Sequence, residues 1–151
     1  MGNTLTFLSS ARWTTARNGV ATAHQIEPSI TFSSPPEFQG EAGVWTPEHF
    51  FTAAVATCFV MTFQALAAFS KFSAVGLEVA VEGQVEKGDG GYRFARVTIR
   101  PLLTIHNQAD RERALRLLEK SEKACLVSRS LNSEILLEPR VVVAPAVVTV
   151  E

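Results

Sequence analysis

Between residues 50 and 69 the chain runs for twenty positions without a charged side chain, and this stretch limits the folds open to it. A helix of that length rises about 30 Å, enough to cross a bilayer. A helix that is apolar on every side is either embedded in lipid or packed at the centre of a protein. Central packing is the expectation here. The segment is rich in alanine, carries Thr52, Thr57, Thr62 and Gln64, and is the single such run in a chain that otherwise alternates like soluble strands and amphipathic helices. Its start is marked chemically: Thr46 suits an N-cap, Pro47 a first turn, and Glu48 the positive end of the helix dipole.

The flanking sequence reads as short elements. Residues 5–8, 20–24 and 29–32 have strand composition, with Asn18-Gly19 as a hairpin signal between the first two. Ser33-Ser-Pro-Pro36 and Gly40-Glu-Ala-Gly43 form a loop into the apolar helix. Residues 77–87 and 92–103 alternate apolar and polar on either side of Gly88-Asp-Gly-Gly91, which predicts a hairpin with an irregularity near Gly83. Asn107, with Asp110 three residues on, predicts a capped helix to about Ala124, with Ala114, Leu115, Leu117 and Leu118 inward. A short helical turn over 128–133 and a strand over 140–150 follow, the latter at an edge or interrupted because it contains Pro145. The order β-β-β-α-β-β-α-β predicts an α+β fold, and 151 residues suit a single domain over 1–151.

Composition removes several classes of function. The net charge is −1 and no basic block occurs, so nucleic-acid binding through phosphate neutralisation is not expected. The first eight residues lack a basic start and a sustained apolar run, which makes the cytoplasm the expected compartment. Stable structural disulfides are unusual there. Two cysteines are too few for a thiolate zinc site, neither CxxC nor HExxH occurs, and His24, His49 and His106 lack ligand spacing. No metal or other cofactor is expected. Serine nucleophile motifs are absent, and Gly88-Asp-Gly-Gly91 reads as a turn rather than a phosphate loop because no helix follows it.

The two cysteines remain. Cys58 lies inside the apolar helix and Cys125 at the polar end of the second one. An apolar setting raises a thiol pKa, and buried free cysteines are common, so the residues by themselves favour inert core thiols. The alternative is a redox pair, which needs one cysteine held as thiolate, a second within disulfide reach, and a cation to stabilise the anion. Glu48 could orient such a cation, but it precedes Cys58 by ten residues, about 15 Å of helix rise. It can serve the Cys58 of a second copy if two such helices cross antiparallel among Ala53, Ala54 and Ala56. The simpler reading of Glu48 is a first-turn carboxylate serving the dipole.

Pro47-Glu48-x-Phe-Phe-x-Ala-Ala, followed four residues later by Cys58, resembles the central-helix signature of the OsmC/Ohr family of osmotically induced and organic hydroperoxide resistance proteins. Cys125-Leu-Val-Ser128-x-Ser-Leu131 is similar to that family's second signature, usually Cys-Pro, then Val or Tyr, then Ser. The resemblance extends over essentially the whole chain, and the Leu-Val-Ser form looks more like the OsmC-like branch. It implies an intertwined α+β homodimer with long central helices packed against antiparallel sheets. It also implies a thiol peroxidase acting on organic or lipid hydroperoxides, with Cys58 peroxidatic, Cys125 resolving, and an external dithiol as reductant. The family's arginine lies in an N-terminal Gly-Gly-Arg-x-Gly segment, best matched by Ala16-Arg17-Asn18-Gly19. Arg17 is therefore the implied partner of Glu48, with Arg12 next and Arg129 an outsider beside Cys125. Two residues depart from the pattern: Leu126 stands for the proline, and Ala16 for a glycine.

A different class of function competes, a dimeric small-molecule or lipid-binding protein of the same fold with structural cysteines. Phe50, Phe51, Phe59, Met61 and Phe63 could line an apolar pocket under either reading, although residues at such helical spacing are more often core.

Overall fold

A computed structural model describes residues 2–146. The chain divides into two compact units, residues 1–51 and 52–151.

In the first unit, β1 (Ser9–Thr15), β2 (Asn18–Ala23) and β3 (Ile26–Ser33) form an antiparallel meander in that order. Thr15 pairs with Asn18, so the turn is Ala16-Arg17, with Ala16 at φ 49°. Asn18 and Gly19, expected in the turn, instead open β2. Gly19 lies opposite Phe32, and a Cβ there would sit 2.5 Å from Cζ of that ring and 2.8 Å from the Arg12 carbonyl oxygen. The glycine is thus needed for a close approach across the sheet rather than for a turn. The strand expected over 5–8 does not form; regular structure starts at Ser9, and Leu5, Phe7 and Leu8 are exposed. Beyond β3 the loop is tied back by Ser33 N–H to Trp45 O (2.8 Å) and by Glu41 N–H to the Ser33 hydroxyl (2.9 Å).

The apolar segment forms α1 (Pro47–Phe69). Thr46 is buried at its start, and its hydroxyl accepts the His49 N–H at 3.2 Å, as an N-cap should. His49 returns the bond: its Nδ1 accepts the Thr46 N–H at 3.2 Å, the part that Glu or Gln plays in a capping box. The far end closes with Phe72 N–H to Ala67 O (2.8 Å) and Lys71 N–H to Ala68 O (3.2 Å), a Schellman arrangement with Lys71 at φ 54°. Phe72 then packs edge-on against Phe63, ring centroids 6.5 Å apart, and beneath the Arg113 guanidinium. Among the described residues α1 is the one helix long and apolar enough to cross a membrane. It buries a single stripe, Val55, Phe59, Phe63 and Ala67, one residue per turn, while Met61 and Phe69 are exposed.

The second unit is organised by β5. β4 (Ala74–Gly88) and β5 (Gly91–Ile105) form the long expected hairpin, extended at both ends. Leu77, Val79 and Val81 face Leu103, Pro101 and Ile99 across the pair, and Val97, Ile99, Leu103 and Ile105 are fully buried. The irregularity falls between Gln84 and Val85, one residue past Gly83. Gly83 itself is crowded by the Phe94 ring, and a Cβ there would lie 3.0 Å from Thr52 Cγ2 of α1. On its other side β5 pairs in parallel with β6 (Glu134–Leu137) and then β7 (Arg140–Val143), so this sheet is mixed. Ile99 and Ile105 accept bonds from Glu138 and Ala144 on that side. By strand alternation Pro101 faces the same way, and its missing N–H falls at the break between β6 and β7. The strand expected over 140–150 ends at Val143, ahead of Pro145; residues 147–150 lie outside the described residues.

α2 (Arg111–Ala124) follows a single turn of 3-10 helix at Gln108–Asp110. Asn107 begins that turn without a side-chain cap, and Asp110 donates its N–H to Asn107 O, so the expected capping box is absent. α2 lays Ala114, Leu117, Leu118 and Ser121 against β5 and β7, with Arg111 bonded to Val141 O at 2.9 Å. α3 (Leu126–Arg129) comes two residues later, earlier than the turn expected over 128–133.

Lys71 holds a left-handed conformation that glycine adopts at lower cost. Lys71→Gly is expected to raise unfolding stability by about 0.5–1 kcal/mol in urea titration, and a loss of stability would contradict this account of the helix end.

Candidate functional site

The second unit brings Cys58 and Cys125 together. Cys58 lies at the start of the fourth turn of α1 beside the core stripe, half-buried where Val55 and Phe59 are wholly buried. One turn on, the Thr62 hydroxyl is 3.9 Å from its sulfur. Cys125 is fully buried and directly follows α2, which ends at Ala124 as expected. It occupies the break between α2 and α3 with φ −62° and ψ 114°, an extended conformation.

That break decides where hydrogen bonds go. The ladder of α3 begins with Arg129 N–H to Cys125 O at 3.0 Å. The amides of Leu126, Val127 and Ser128 therefore have no partner inside the helix and need one elsewhere. The Val127 and Leu126 amides lie where they favour an anion at Cys58, and the Ser128 amide where it favours one at Cys125. The Cys125 thiol is close enough to Cys58 that the charge on one bears on the ionisation of the other.

The electrostatic consequence separates the two thiols. Burial pushes the Cys58 thiol up, but the Val127 amide, the Cys125 thiol, the Thr62 hydroxyl and the Leu126 amide all favour its anion. Together they hold Cys58 below the ordinary cysteine value. Burial pushes the Cys125 thiol up as well. The Ser128 hydroxyl and amide oppose that, but the bond given to Cys58 and the negative charge there leave Cys125 raised. Of the two, Cys58 is the more readily ionised and Cys125 the more firmly protonated.

The other sequence-predicted residues belong to the first unit or lie apart. Arg17 is exposed at the tip of the β1–β2 turn, where its guanidinium donates to Gln39 Oε1 at 3.2 Å and its carbonyl accepts the Ser34 N–H at 3.1 Å. Glu48 is half-buried in the first turn of α1. Arg12 is exposed on β1, opposite Val20. Arg129 ends α3 and is exposed. Of the aromatic set, Phe59 and Phe63 are core and Met61 is exposed. Phe50 contributes to a cavity of about 430 Å³ in the first unit, with Ser9, Ser10, Ala11, Ala21, Phe32 and Pro47.

Sequence reasoning missed three donors. Thr62 was open to discovery, because a residue four positions after Cys58 shares its helix face. The Leu126 and Val127 amides were not, since a backbone donor leaves no mark in the sequence until the fold brings α3 to α1.

Comparison with known proteins gives these observations a setting. The family model described as OsmC-like protein matches residues 40–140. The uncharacterised protein YmaD of Bacillus subtilis is 28% identical over 135 residues, 87% of this chain and 90% of that protein. The fold is similar to that of an OsmC-like protein of unknown function from Vibrio cholerae, with TM-score 0.79, 16% identity, and 90% and 99% of the two chains covered. It is also similar to the organic hydroperoxide resistance protein OsmC of Legionella pneumophila, with TM-score 0.75, 22% identity, and 93% and 99% covered. The α+β arrangement of β-meander, long apolar helix and mixed sheet is the one these proteins share, and with a family match over more than half its length, the chain belongs to the OsmC-like protein family.

Proposed function

We propose that the protein is a thiol peroxidase that reduces organic hydroperoxides to alcohols, with Cys58 as the attacking thiol and Cys125 as the resolving one. The observation that carries this reading is the nearness of the two thiols at the start of α3, where each bears on the other's ionisation and Cys58 is pulled toward thiolate and Cys125 away from it. The name of the similar Legionella pneumophila protein, organic hydroperoxide resistance protein OsmC, supports the substrate class.

In this reading the Cys58 thiolate attacks the terminal oxygen of the hydroperoxide. The O–O bond breaks, Cys58 becomes a sulfenic acid, and the departing alkoxide takes a proton from water to become the alcohol. The thiolate charge that held Cys125 protonated is then gone. Cys125 loses its proton and attacks the Cys58 sulfur, the S–O bond breaks, and hydroxide leaves as water. The product is a Cys58–Cys125 disulfide. An external dithiol returns both thiols by exchange, supplying two electrons. Nothing in this sequence calls on a metal or organic cofactor.

Arg17 and Glu48 enter through the family resemblance. A guanidinium suits both the thiolate and the departing oxygen, and a carboxylate can fix it by paired bonds. The ten-residue rise between Glu48 and Cys58 supports a reading in which a second copy of the chain supplies the pair, and the exposed face of α1, with Ala54, Thr57 and Met61, offers a surface for one. Sedimentation at micromolar concentration should give a dimer; a monomer removes Arg17 and Glu48 from the site. The same reading has the reaction take place in the cytoplasm on a lipid or other organic hydroperoxide.

The rival reading, a small-molecule or lipid-binding protein with structural cysteines, is favoured by one observation, the largely apolar cavity at Phe32 and Phe50. The two are separated by turnover. With cumene hydroperoxide and a dithiol, Cys58→Ser should lower consumption to the uncatalysed background. Cys125→Ser should complete about one turnover and then accumulate sulfenic or sulfinic acid at Cys58. Wild-type protein that consumes no hydroperoxide under these conditions overturns the peroxidase reading.

A further inference from the structure

We propose that Thr62 is a positioning residue for Cys58, its hydroxyl donating a hydrogen bond to that sulfur and holding the thiolate more firmly than the thiol. The inference rests on the peroxidase reading for its biological meaning, but its physical content is one side-chain contact within α1.

Geometry carries it. Thr62 follows Cys58 by four residues, so the two side chains share one face of α1, and the hydroxyl oxygen lies 3.9 Å from Cys58 Sγ. A threonine inside a helix ordinarily turns its hydroxyl back to the carbonyl one turn before it. Thr57 does so, donating to Ala53 O at 2.8 Å. Thr62 presents its hydroxyl to the sulfur instead. Branching at Cβ leaves threonine few rotamers in a helix, so the oxygen is held there with little freedom to lose. Cys58 and Thr62 are both half-buried, each followed in sequence by a buried phenylalanine, Phe59 and Phe63, so little water competes for the bond.

The two ionisation states ask different things of this contact. Between a thiol and a hydroxyl either atom can be the donor, and a neutral sulfur is a weak acceptor, which suits the long separation. A thiolate carries no proton, so Thr62 must then donate, and bonds to an anion are shorter and stronger. The bond therefore strengthens as Cys58 ionises, which is the condition for favouring the anion, and the lowered pKa of Cys58 agrees with it. Cys125 is the titratable group that bears on Cys58 from the junction of α2 and α3. Lys123 and Arg129, which flank that junction, are exposed.

The readout is iodoacetamide alkylation of Cys58 across pH in reduced protein, followed by mass spectrometry of the Cys58 peptide. In wild type the rate should rise through a midpoint below the roughly 8.5 of a free cysteine and flatten above it. Thr62→Val keeps the branched shape and removes the hydroxyl. It should move the rise to higher pH and lower the rate at pH 7 by about two- to fivefold while leaving the plateau, the effect of losing one of several bonds to an anion. Thr62→Ser keeps the hydroxyl and should stay closer to wild type than to Thr62→Val. A Thr62→Val profile that coincides with wild type overturns the proposal, as does an equal shift in both variants. A lowered plateau with an unmoved midpoint overturns it too, because that is a change of access rather than of ionisation. A second measurement needs no variant at position 62: the Thr62 methyl resonance, followed by heteronuclear NMR in wild type, should titrate at the Cys58 midpoint and stay flat there in Cys58→Ser. A resonance that is flat in wild type, or that titrates alike in both proteins, is equally fatal. Hydroperoxide consumption is absent from both readouts, so a protein with the expected profiles but no turnover would fail the peroxidase reading and leave the donor intact.

Discussion

The first three amides of a helix have no partner inside it, and those of α3 bear on the ionisation of two sulfurs. This constraint organises the candidate site. Cys125 follows α2 in an extended conformation, the chain turns at once into α3, and the N–H groups of Val127 and Leu126 favour an anion at Cys58 while that of Ser128 favours one at Cys125. A thiol in an apolar helix would ordinarily resist ionisation. Here neutral donors reverse that tendency for one cysteine and leave it standing for the other.

The fold supplies the rigidity that makes such weak bonds count. α1 is held by a stripe of one buried residue per turn, from Val55 to Ala67, and its end is fixed by Phe72 against Phe63. β5 forms the other half of the frame. It pairs with β4 along its length and with β6 and β7 end to end, and α2 packs on it through Ala114, Leu117 and Leu118. Because α2 leads directly into Cys125, the packing of α2 on β5 and β7 positions the buried thiol. The coupling between the thiols also sets an order of events. While Cys58 is an anion it keeps Cys125 protonated, and only its conversion to a neutral sulfenic acid frees Cys125 to act.

Much of this was legible before any coordinates. The long β4–β5 hairpin followed from strict alternation around a glycine-rich turn, and α1 from an uncharged run introduced by Thr46 and Pro47. What failed were local signals with two meanings. Asn18-Gly19 has the composition of a turn, yet Gly19 is small because Phe32 lies across it. Asn107 and Asp110 have the spacing of a capping box, yet a 3-10 turn intervenes and neither side chain caps. His49, an exposed residue without ligand spacing, completes the cap of Thr46, which its identity alone does not announce. For the site, the two cysteines stood out because they are the only two, and their signatures resembled a family. The donors between them did not, because backbone groups carry no sequence identity. Leu126 is legible in the sequence only as a departure from a signature.

The most direct test is a stoichiometric one on the intact protein. Fully reduced protein is treated with one equivalent of cumene hydroperoxide per chain, without reductant, and its intact mass and free thiols are measured. A Cys58–Cys125 redox pair predicts the loss of two hydrogens and of both thiols per chain, restored by an added dithiol. Two surviving thiols and an unchanged mass, in the presence of excess hydroperoxide, would contradict it.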